Sequence, residues 1–135
     1  MTGNAIAAAA HALVGARYRP GGRDPATGLD CLGVVAASLA AVGWHARLPV
    51  RSTLHRGDVR DAIEIAHLAG LVCPAGNTLA GDIMMVRCSP IQLHLLIAAG
   101  AERFIHAHAS LRRVVLGPSD PAWTFVGRWR LPTQG

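Results

Sequence analysis

The first third of the chain carries apolar runs with the spacing and boundaries of helices. One alanine-rich run follows Asn4 and a second follows Asp30, and both residues have side chains that cap helix starts. Gly15 and Gly43 lie where these runs stop, and glycine is favoured just beyond a helix end. The pattern predicts two short helices on either side of a loop rich in glycine and proline, from Tyr18 to Asp30.

A third helix is predicted from Val59 to Ala69. Asp58 is placed to cap its start, and Gly70 follows its end. The preceding segment, Pro49 to Gly57, is predicted to be a connector. The apolar residues of this helix recur at helical spacing and are expected on one buried face: Val59, Ala62, Ile63, Ala66 and Ala69.

From Gly81 onwards the apolar residues occur in short runs typical of strands. The five predicted strands are Ile83 to Arg87, Leu93 to Ala98, Phe104 to His108, Arg113 to Leu116 and Phe125 to Arg130. Helices followed by antiparallel strands predict an α+β domain, with N-terminal helices packed on a C-terminal antiparallel β-sheet. A length of 135 residues without an internal repeat fits a single domain over residues 1–135.

The composition is that of a packed globular protein, with 51% hydrophobic and 16% charged residues. All thirteen basic residues are arginine, and the net charge is +5. Such charge can attract an anionic cell wall, nucleic acid or acidic lipid. The arginines are scattered, however, which favours a solvated surface and no nucleic-acid partner. The only grouped positions are Arg17, Arg19 and Arg23, and Arg112 with Arg113.

The cysteines and the N-terminus bear on the compartment. Cys31, Cys73 and Cys88 are odd in number and lack CxxC spacing, so neither a disulfide framework nor a zinc ribbon is indicated. A reducing compartment is the simpler expectation. The N-terminal run lacks a positive leader, so we expect a first helix and synthesis in the cytoplasm without a signal peptide. No run approaches the length of a membrane span.

Cys31 is the candidate nucleophile because it lies at the first turn of the second predicted helix. Unpaired backbone N–H groups and the positive end of the helix dipole favour a thiolate at such a position. A nucleophile of this kind needs a base within reach.

Two histidines on neighbouring predicted strands supply that base. If the intervening turn centres on Gly100, His94 lies opposite His106, because the two are equally far from it in sequence. Both imidazoles then share one face of the sheet. A cysteine at a helix start, a histidine on a strand and a polar residue that orients the histidine form a nucleophile, base and orienter set.

These motifs follow one another in a recognisable order. They are Tyr18, Asp30-Cys31-Leu32-Gly33, Gly81-Asp82-Ile83, His94 and Phe104-Ile105-His106-Ala107. In this order the chain resembles, over most of its length, the NlpC-type cell-wall cysteine peptidases, a compact branch of the papain-like fold. The short length, the Asp-Cys-Leu-Gly motif and the ending from Gly127 to Pro132 look more like the phage-tail and gene-transfer-agent members of that family.

The resemblance implies a cysteine peptidase with Cys31 as nucleophile, His94 as base and His106 as the residue that orients the base. The implied substrate is the peptidoglycan stem peptide, cut between D-γ-glutamate and the diamino acid, or alternatively at the amide between sugar and peptide. No cofactor and no metal are implied. The implied partners are phage-tail or gene-transfer-particle proteins that deliver the domain to the cell wall.

Three further residues are expected at the site. Tyr18 is implied to donate a hydrogen bond near the developing oxyanion, alongside the Cys31 backbone N–H. Asp30 is expected to be a helix cap first and a contact for a substrate amine second, and His108 is expected to border the cleft. The chain departs from the family pattern at Leu32, where serine is usual, and at the leucines that flank His94.

Two alternatives remain open at this stage. His94, His106 and His108 have a spacing that suits a zinc ion, which predicts a zinc-dependent hydrolase. A non-catalytic tail-assembly protein that keeps the fold is the other alternative. Cys73 and Cys88 are expected to be ordinary thiols, and Trp44, Trp123 and Trp129 are expected to pack in the core and at its rim.

Overall fold

The computed structural model describes residues 2–45, 48 and 58–132 of the chain. Three helices lie in this part: α1 Thr2–Ala12, α2 Cys31–Ala41 and α3 Val59–Leu68. None of these helices is long and apolar enough to cross a membrane. The predicted connector from Pro49 to Gly57 lies outside the described residues.

The first helix differs from its predicted bounds at both ends. It begins at Thr2, so Asn4 lies inside it and does not cap it, and it ends at Ala12, before Gly15. Gly15 has a φ of 93°, and its N–H donates to the Val114 carbonyl of a strand at 2.8 Å. This bond to the sheet replaces a helical one and takes the chain out of the helix.

The second and third helices both begin at their predicted caps. Asp58 caps α3 by accepting hydrogen bonds from two backbone N–H groups of the first turn. Ala62 and Ala66 are buried as predicted, whereas Ile63 is 46% exposed, so its expected place on the buried face is wrong. The stripe of small alanines lies against the core, and Ile63, about 100° round the helix from Ala62, falls outside the contact.

All five predicted strands are present, and they form one antiparallel sheet. The strands are β3 Ile83–Ser89, β4 Gln92–Ala98, β5 Phe104–His108, β6 Arg113–Gly117 and β7 Thr124–Trp129. Their order in the sheet is β6-β5-β4-β3-β7. A small hairpin that was not predicted, β1 Arg23–Asp24 and β2 Gly28–Leu29, lies in the loop before α2. The predicted α+β architecture is confirmed.

The sheet separates two apolar layers, because successive side chains point to opposite faces. One face packs on the helices, with α2 against β4 and β5. The other face carries Val86, Leu96, Ala98 and Phe104, with Trp123 packed against them. Buried sheet residues on the helix side include Ile83, Met85, Leu93, Leu95, Ile97 and Ile105.

Asp82, at the start of β3, is fully buried and ties the edge strand to the sheet. It accepts two hydrogen bonds from the Arg130 guanidinium, at 2.6 and 2.8 Å, and Arg128 Nε lies 3.6 Å away. Gly81 has a φ of 89°, and a Cβ there would clash with the backbone of Gly3 in α1. The Gly-Asp opener and the arginine-rich ending therefore hold each other in place.

The three tryptophans pack in the core and at its rim, as predicted. Trp129 is a core residue with 4% exposure. Trp44 is half-buried at the end of α2, and its indole N–H donates to the Ala69 carbonyl at 2.8 Å, which joins α2 to α3. The third, Trp123, lies at the cleft described below.

Candidate active site

The loop before α2 converges on the Asp30 carboxylate. One oxygen accepts the Gly33 N–H at 2.8 Å, as a helix cap does, and a guanidinium nitrogen of Arg23 at 3.0 Å. The other accepts the Gly21 N–H at 2.9 Å. The predicted cap is confirmed. A substrate amine, the second expected partner of Asp30, would have to compete with these three donors.

Close backbone packing fixes the start of α2. The Gly22 carbonyl oxygen lies against the Gly33 Cα, and a Cβ on Gly33 would clash with that oxygen. The Asp30 N–H also donates to the Gly22 carbonyl, at 3.3 Å. The glycine of the Asp-Cys-Leu-Gly motif is therefore needed for the hairpin to pack on the helix start, which sets the position of Cys31.

His94 and His106 share one face of the sheet, as predicted, but their predicted pairing is wrong. The β4–β5 ladder pairs Ile97 with Ile105 and Ala98 with Phe104, which centres the turn one residue after Gly100. His106 is therefore displaced by two residues from the position opposite His94. A shift of two keeps the parity of the strand, so both rings stay on the same face.

The two imidazoles are in direct contact. His94 Nε2 and His106 Nδ1 are 3.0 Å apart, and the ring planes are nearly perpendicular, at 81°. If Nε2 of His94 donates in this bond, its Nδ1 is left with a free lone pair, which is the tautomer that a base requires. The predicted pair of base and orienting residue is thus brought together by the fold.

A cleft of about 220 Å³ lies where the β4–β5 ladder ends. It collects every predicted site residue from the helix start and from the sheet. Its lining includes Tyr18, Asp30, Cys31, Leu93, His94, His106, His108 and Trp123. The thiol at the helix start and the imidazoles on the sheet therefore face one space.

The protonation state of Cys31 differs from the expected thiolate. Burial raises the pKa of the thiol to about 12. The Leu95 and Leu32 backbone N–H groups and the Arg23 charge oppose this rise, while the Asp30 carboxylate adds to it. The effect of desolvation on the pKa thus outweighs the effect of the helix start, and Cys31 is a neutral thiol at rest.

The histidines are also neutral at rest. The pKa of His94 is lowered to about 3, mainly by burial and to a smaller extent by the neighbouring His106 and His108. Burial is also the largest cause that lowers the pKa of His106 to about 4. The site at neutral pH is therefore a thiol beside an uncharged imidazole and not a thiolate–imidazolium ion pair.

The two remaining predicted residues border the cleft. Tyr18 is half-buried, and its N–H donates to the Arg112 carbonyl at 3.0 Å, which anchors the loop beside β6. His108 lies at the end of β5, and its Nδ1 accepts the Leu111 N–H at 3.1 Å. Both side chains line the cleft, as predicted.

No protein-family model and no curated protein matches this chain, but solved structures match its fold. The NlpC/p60 domain of the peptidoglycan hydrolase SagA is similar with a TM-score of 0.65 and 26% identity, over 93% of this chain and 97% of that one. NlpC2 from Trichomonas vaginalis is similar with a TM-score of 0.68 and 18% identity, over 96% of this chain and 47% of that one.

A third similar structure is the peptidoglycan hydrolase RipB from Mycobacterium tuberculosis, with a TM-score of 0.64 and 22% identity, over 95% of this chain and 63% of that one. The chain has the NlpC/P60 fold. The predicted papain-like architecture of the NlpC type is thus confirmed. The chain spans less than half the length of the two similar Trichomonas proteins, 47% of one and 44% of the other.

Sequence reasoning did not place Trp123 at this cleft. Trp123 contacts both imidazoles edge to face, with ring centroids 5.5 Å from His94 and 5.4 Å from His106. It comes from the turn before β7, and its position in sequence gives no signal, because only the tertiary fold brings that turn over the histidines.

Cys88 and Gln92 also line the cleft and were not predicted there. They lie on either side of the β3–β4 turn, where the register shifts after Arg87. The Cys88 thiol lies 3.6 Å from the Gln92 carbonyl oxygen, to which it donates. The register shift leaves Cys88 without a partner in the β3–β4 ladder, a feature that alternating sequence patterns do not reveal.

The arrangement does not support the zinc alternative. Within the described part of the chain, no three histidine, cysteine or acidic side chains converge in a way that holds a metal ion. His106 Nδ1 faces His94, and His108 Nδ1 is occupied by a backbone N–H. The Nδ1 atoms of His106 and His108 are therefore already engaged within the protein.

Proposed function

We propose that this chain belongs to the NlpC/P60 family and is a cysteine peptidase that hydrolyses an amide bond in the peptidoglycan stem peptide. One observation carries the proposal: Cys31 lines the same cleft as His94, whose ring is hydrogen-bonded to His106 at 3.0 Å. Similar structures are named as peptidoglycan hydrolases, SagA and RipB, which supports the cell wall as the substrate.

The reaction begins from neutral groups, so proton transfer accompanies attack. His94 Nδ1 takes the Cys31 proton as the sulfur bonds to the amide carbon, and the carbonyl electrons move to oxygen. The Cys31 N–H and the Tyr18 hydroxyl are assigned to this oxyanion, and each such donor is worth about 3 kcal/mol. His106 holds the ring of His94 in the required tautomer.

The second half of the reaction restores the thiol. The imidazolium of His94 gives its proton to the leaving amine as the carbon–nitrogen bond breaks, which leaves a thioester on Cys31. Water then adds to the thioester as His94 takes one of its protons, and collapse of the adduct releases the acid. The Cys31 sulfur recovers the proton from His94.

The bond we propose is the one between D-γ-glutamate and the diamino acid, with the sugar–peptide amide as the alternative. The test is digestion of purified peptidoglycan by the full chain, with mass spectrometry of the released fragments. We expect new peptide ends within the stem peptide. Free glycan with intact stem peptides would instead identify the amidase.

Two cysteine variants test the catalytic role. Cys31→Ser is expected to abolish fragment release, and Cys73→Ser, which changes an exposed cysteine, is expected to leave it unchanged. Release that persists in the Cys31 variant contradicts the proposal. The same result favours the second candidate, a non-catalytic tail-assembly protein. Two observations support this candidate, namely the raised pKa of the Cys31 thiol and the presence of Leu32 directly after it.

We extend the proposal to delivery by a phage-tail or gene-transfer particle that carries the domain from the cytoplasm to the wall. Two features support this step. The Asp-Cys-Leu-Gly motif and the C-terminal segment from Gly127 to Pro132 resemble those of family members from such particles. Immunodetection of the chain in purified particles tests it. Particles that lack the chain contradict this part alone and leave the peptidase proposal standing.

A further inference from the structure

The fold joins two groups of arginines that are almost a hundred residues apart in sequence. Arg17 and Arg113 are partners in an antiparallel bridge, because residues 15–17 pair with the outer edge of β6. Bridge partners project from the same face, with Cβ atoms about 5 Å apart. Arg19 is two residues after Arg17 on this extended segment, so it projects from the same face as well.

This arginine strip, defined as Arg17, Arg19 and Arg113, lies beside the cleft. Arg113 is the direct partner of His108 in the β5–β6 ladder, and His108 lines the cleft. Two strand spacings separate Arg17 from His108, a distance of about 10 Å. The strip therefore continues the face that carries the histidines outwards to the edge of the sheet.

The charges of the strip are available to a partner. All three side chains are exposed. Among the described residues no carboxylate forms an ion pair with any of them, since the acidic partners in ion pairs are Asp30 and Asp82. Arg112 adds a fourth exposed charge at the edge of the strip. These arginines are exposed to solvent, as expected, and the fold adds that the two groups lie side by side.

We propose that the arginine strip binds the carboxylates of an acidic peptide whose scissile amide enters the cleft. The inference rests on the proposed peptidase function and adds to it where the charged part of the substrate is held. Within the described lining of the cleft there is no arginine, and its one carboxylate, Asp30, already has three donors. Carboxylates of the substrate are therefore bound outside the cleft, at the strip.

The competing partners fit less well. Nucleic-acid surfaces interleave basic side chains with exposed aromatic rings for stacking, whereas the aromatic residue between Arg17 and Arg19, Tyr18, is half-buried and lines the cleft. Leu111 is 53% exposed at the edge of the strip, which makes an anionic membrane the stronger competitor. Of these partners, only an acidic peptide contacts the strip with its carboxylates and the cleft with its scissile amide at the same time.

The test is binding of a fluorescent acidic peptide with free carboxylates, compared with the same peptide in fully amidated form. The full chain carries Cys31→Ser so that no turnover occurs. The double variant Arg17→Glu with Arg113→Glu reverses two charges of the strip. Its control, Arg60→Glu with Arg103→Glu, makes the same change in net charge at exposed positions on α3 and on the β4–β5 turn.

We expect the strip variant to weaken binding of the acidic peptide about tenfold in 0.05 M salt and about twofold in 0.5 M salt, because salt screens exposed charges. Binding of the amidated peptide should stay within about twofold in every protein. If the charge reversals impair folding, the milder pair Arg17→Gln with Arg113→Gln replaces them, with about a threefold loss expected.

A second readout does not depend on peptide chemistry. Iodoacetate is an anion and iodoacetamide is neutral, and both alkylate Cys31 in the protein that retains the thiol. The ratio of the two rates should fall about fivefold in the strip variant at low salt and remain unchanged in the control.

Each outcome decides one claim. Equal losses in the strip variant and the control, or loss of binding only to anionic vesicles or to a single-stranded oligonucleotide, overturn the acidic-peptide proposal. If the strip still distinguishes the acidic peptide from the amidated one in a chain that never hydrolyses peptidoglycan, carboxylate binding by the strip stands and the peptidase function is removed. Hydrolysis that depends on Cys31 but not on the strip does the reverse.

Discussion

Alkylation of Cys31 is the most direct test of the protonation state at the site. Burial raises the pKa of this thiol from 9.0 to about 12. At neutral pH the thiolate fraction is then lower by about a thousandfold, since each pKa unit is a factor of ten. We therefore expect slow alkylation without substrate, with a rate that rises about tenfold per pH unit between pH 7 and pH 10 and shows no plateau.

The assay is peptide mass mapping after timed exposure to iodoacetamide, with exposed Cys73 of the same chain as the internal reference. Because His94 is neutral at rest, His94→Ala should change this rate by less than about threefold, even though it abolishes hydrolysis. A plateau below pH 7, with Cys31 faster than Cys73 and slowed by His94→Ala, refutes the neutral pair and establishes an ion pair.

Three further predictions follow from packing around the site. The pKa values of His94 and His106 in the folded protein are lowered to about 3 and about 4. As pH drops from 6.5, these histidines therefore take up protons in the unfolded chain before they do so in the folded protein. The free energy of unfolding should fall between pH 6.5 and pH 3 for this reason. Urea unfolding at pH 7 and pH 5 measures this, and an equal fall in a variant with glutamine at both positions would contradict it. Trp123→Ala should let water reach both imidazoles and raise their pKa values, whereas Trp123→Phe should leave these pKa values unchanged. Titration of the imidazoles followed by NMR measures this. Unchanged titration midpoints in the alanine variant would show that Trp123 does not shield the histidines from water. Gly33→Ala should cost about 3 kcal/mol of stability because its Cβ clashes with a backbone carbonyl, whereas Gly117→Ala, which has open space, should cost less than about 1 kcal/mol in the same thermal unfolding experiment.

Local patterns in the sequence predicted most of the secondary structure. Asp30 and Asp58 are caps because their short carboxylates reach the free N–H groups of the next turn, and this chemistry is visible in the sequence. Alternation of apolar residues located every strand of the large sheet. The bounds of α1 were less predictable, because a bond between Gly15 and β6 ends that helix.

The candidate site was predictable only in part. His94 and His106 were assigned to one face through a register that is off by two residues, and the assignment survived because an even shift preserves the face of a strand. The contact of Trp123 with both rings had no counterpart in sequence spacing. Residues far apart along the chain become neighbours only when the layers pack.

By itself, the sequence determined the order of the three helices and of the five strands of the large sheet, the caps of α2 and α3, and the residues able to supply a thiol and a base. Those properties depend on interactions within a few residues or on the identity of one side chain. Only the tertiary structure decided that Cys31 is a partly buried, neutral thiol and that two distant groups of arginines form one strip, at Arg17 and Arg113. Desolvation and the proximity of charges depend on what packs nearby, and that is set by the whole fold.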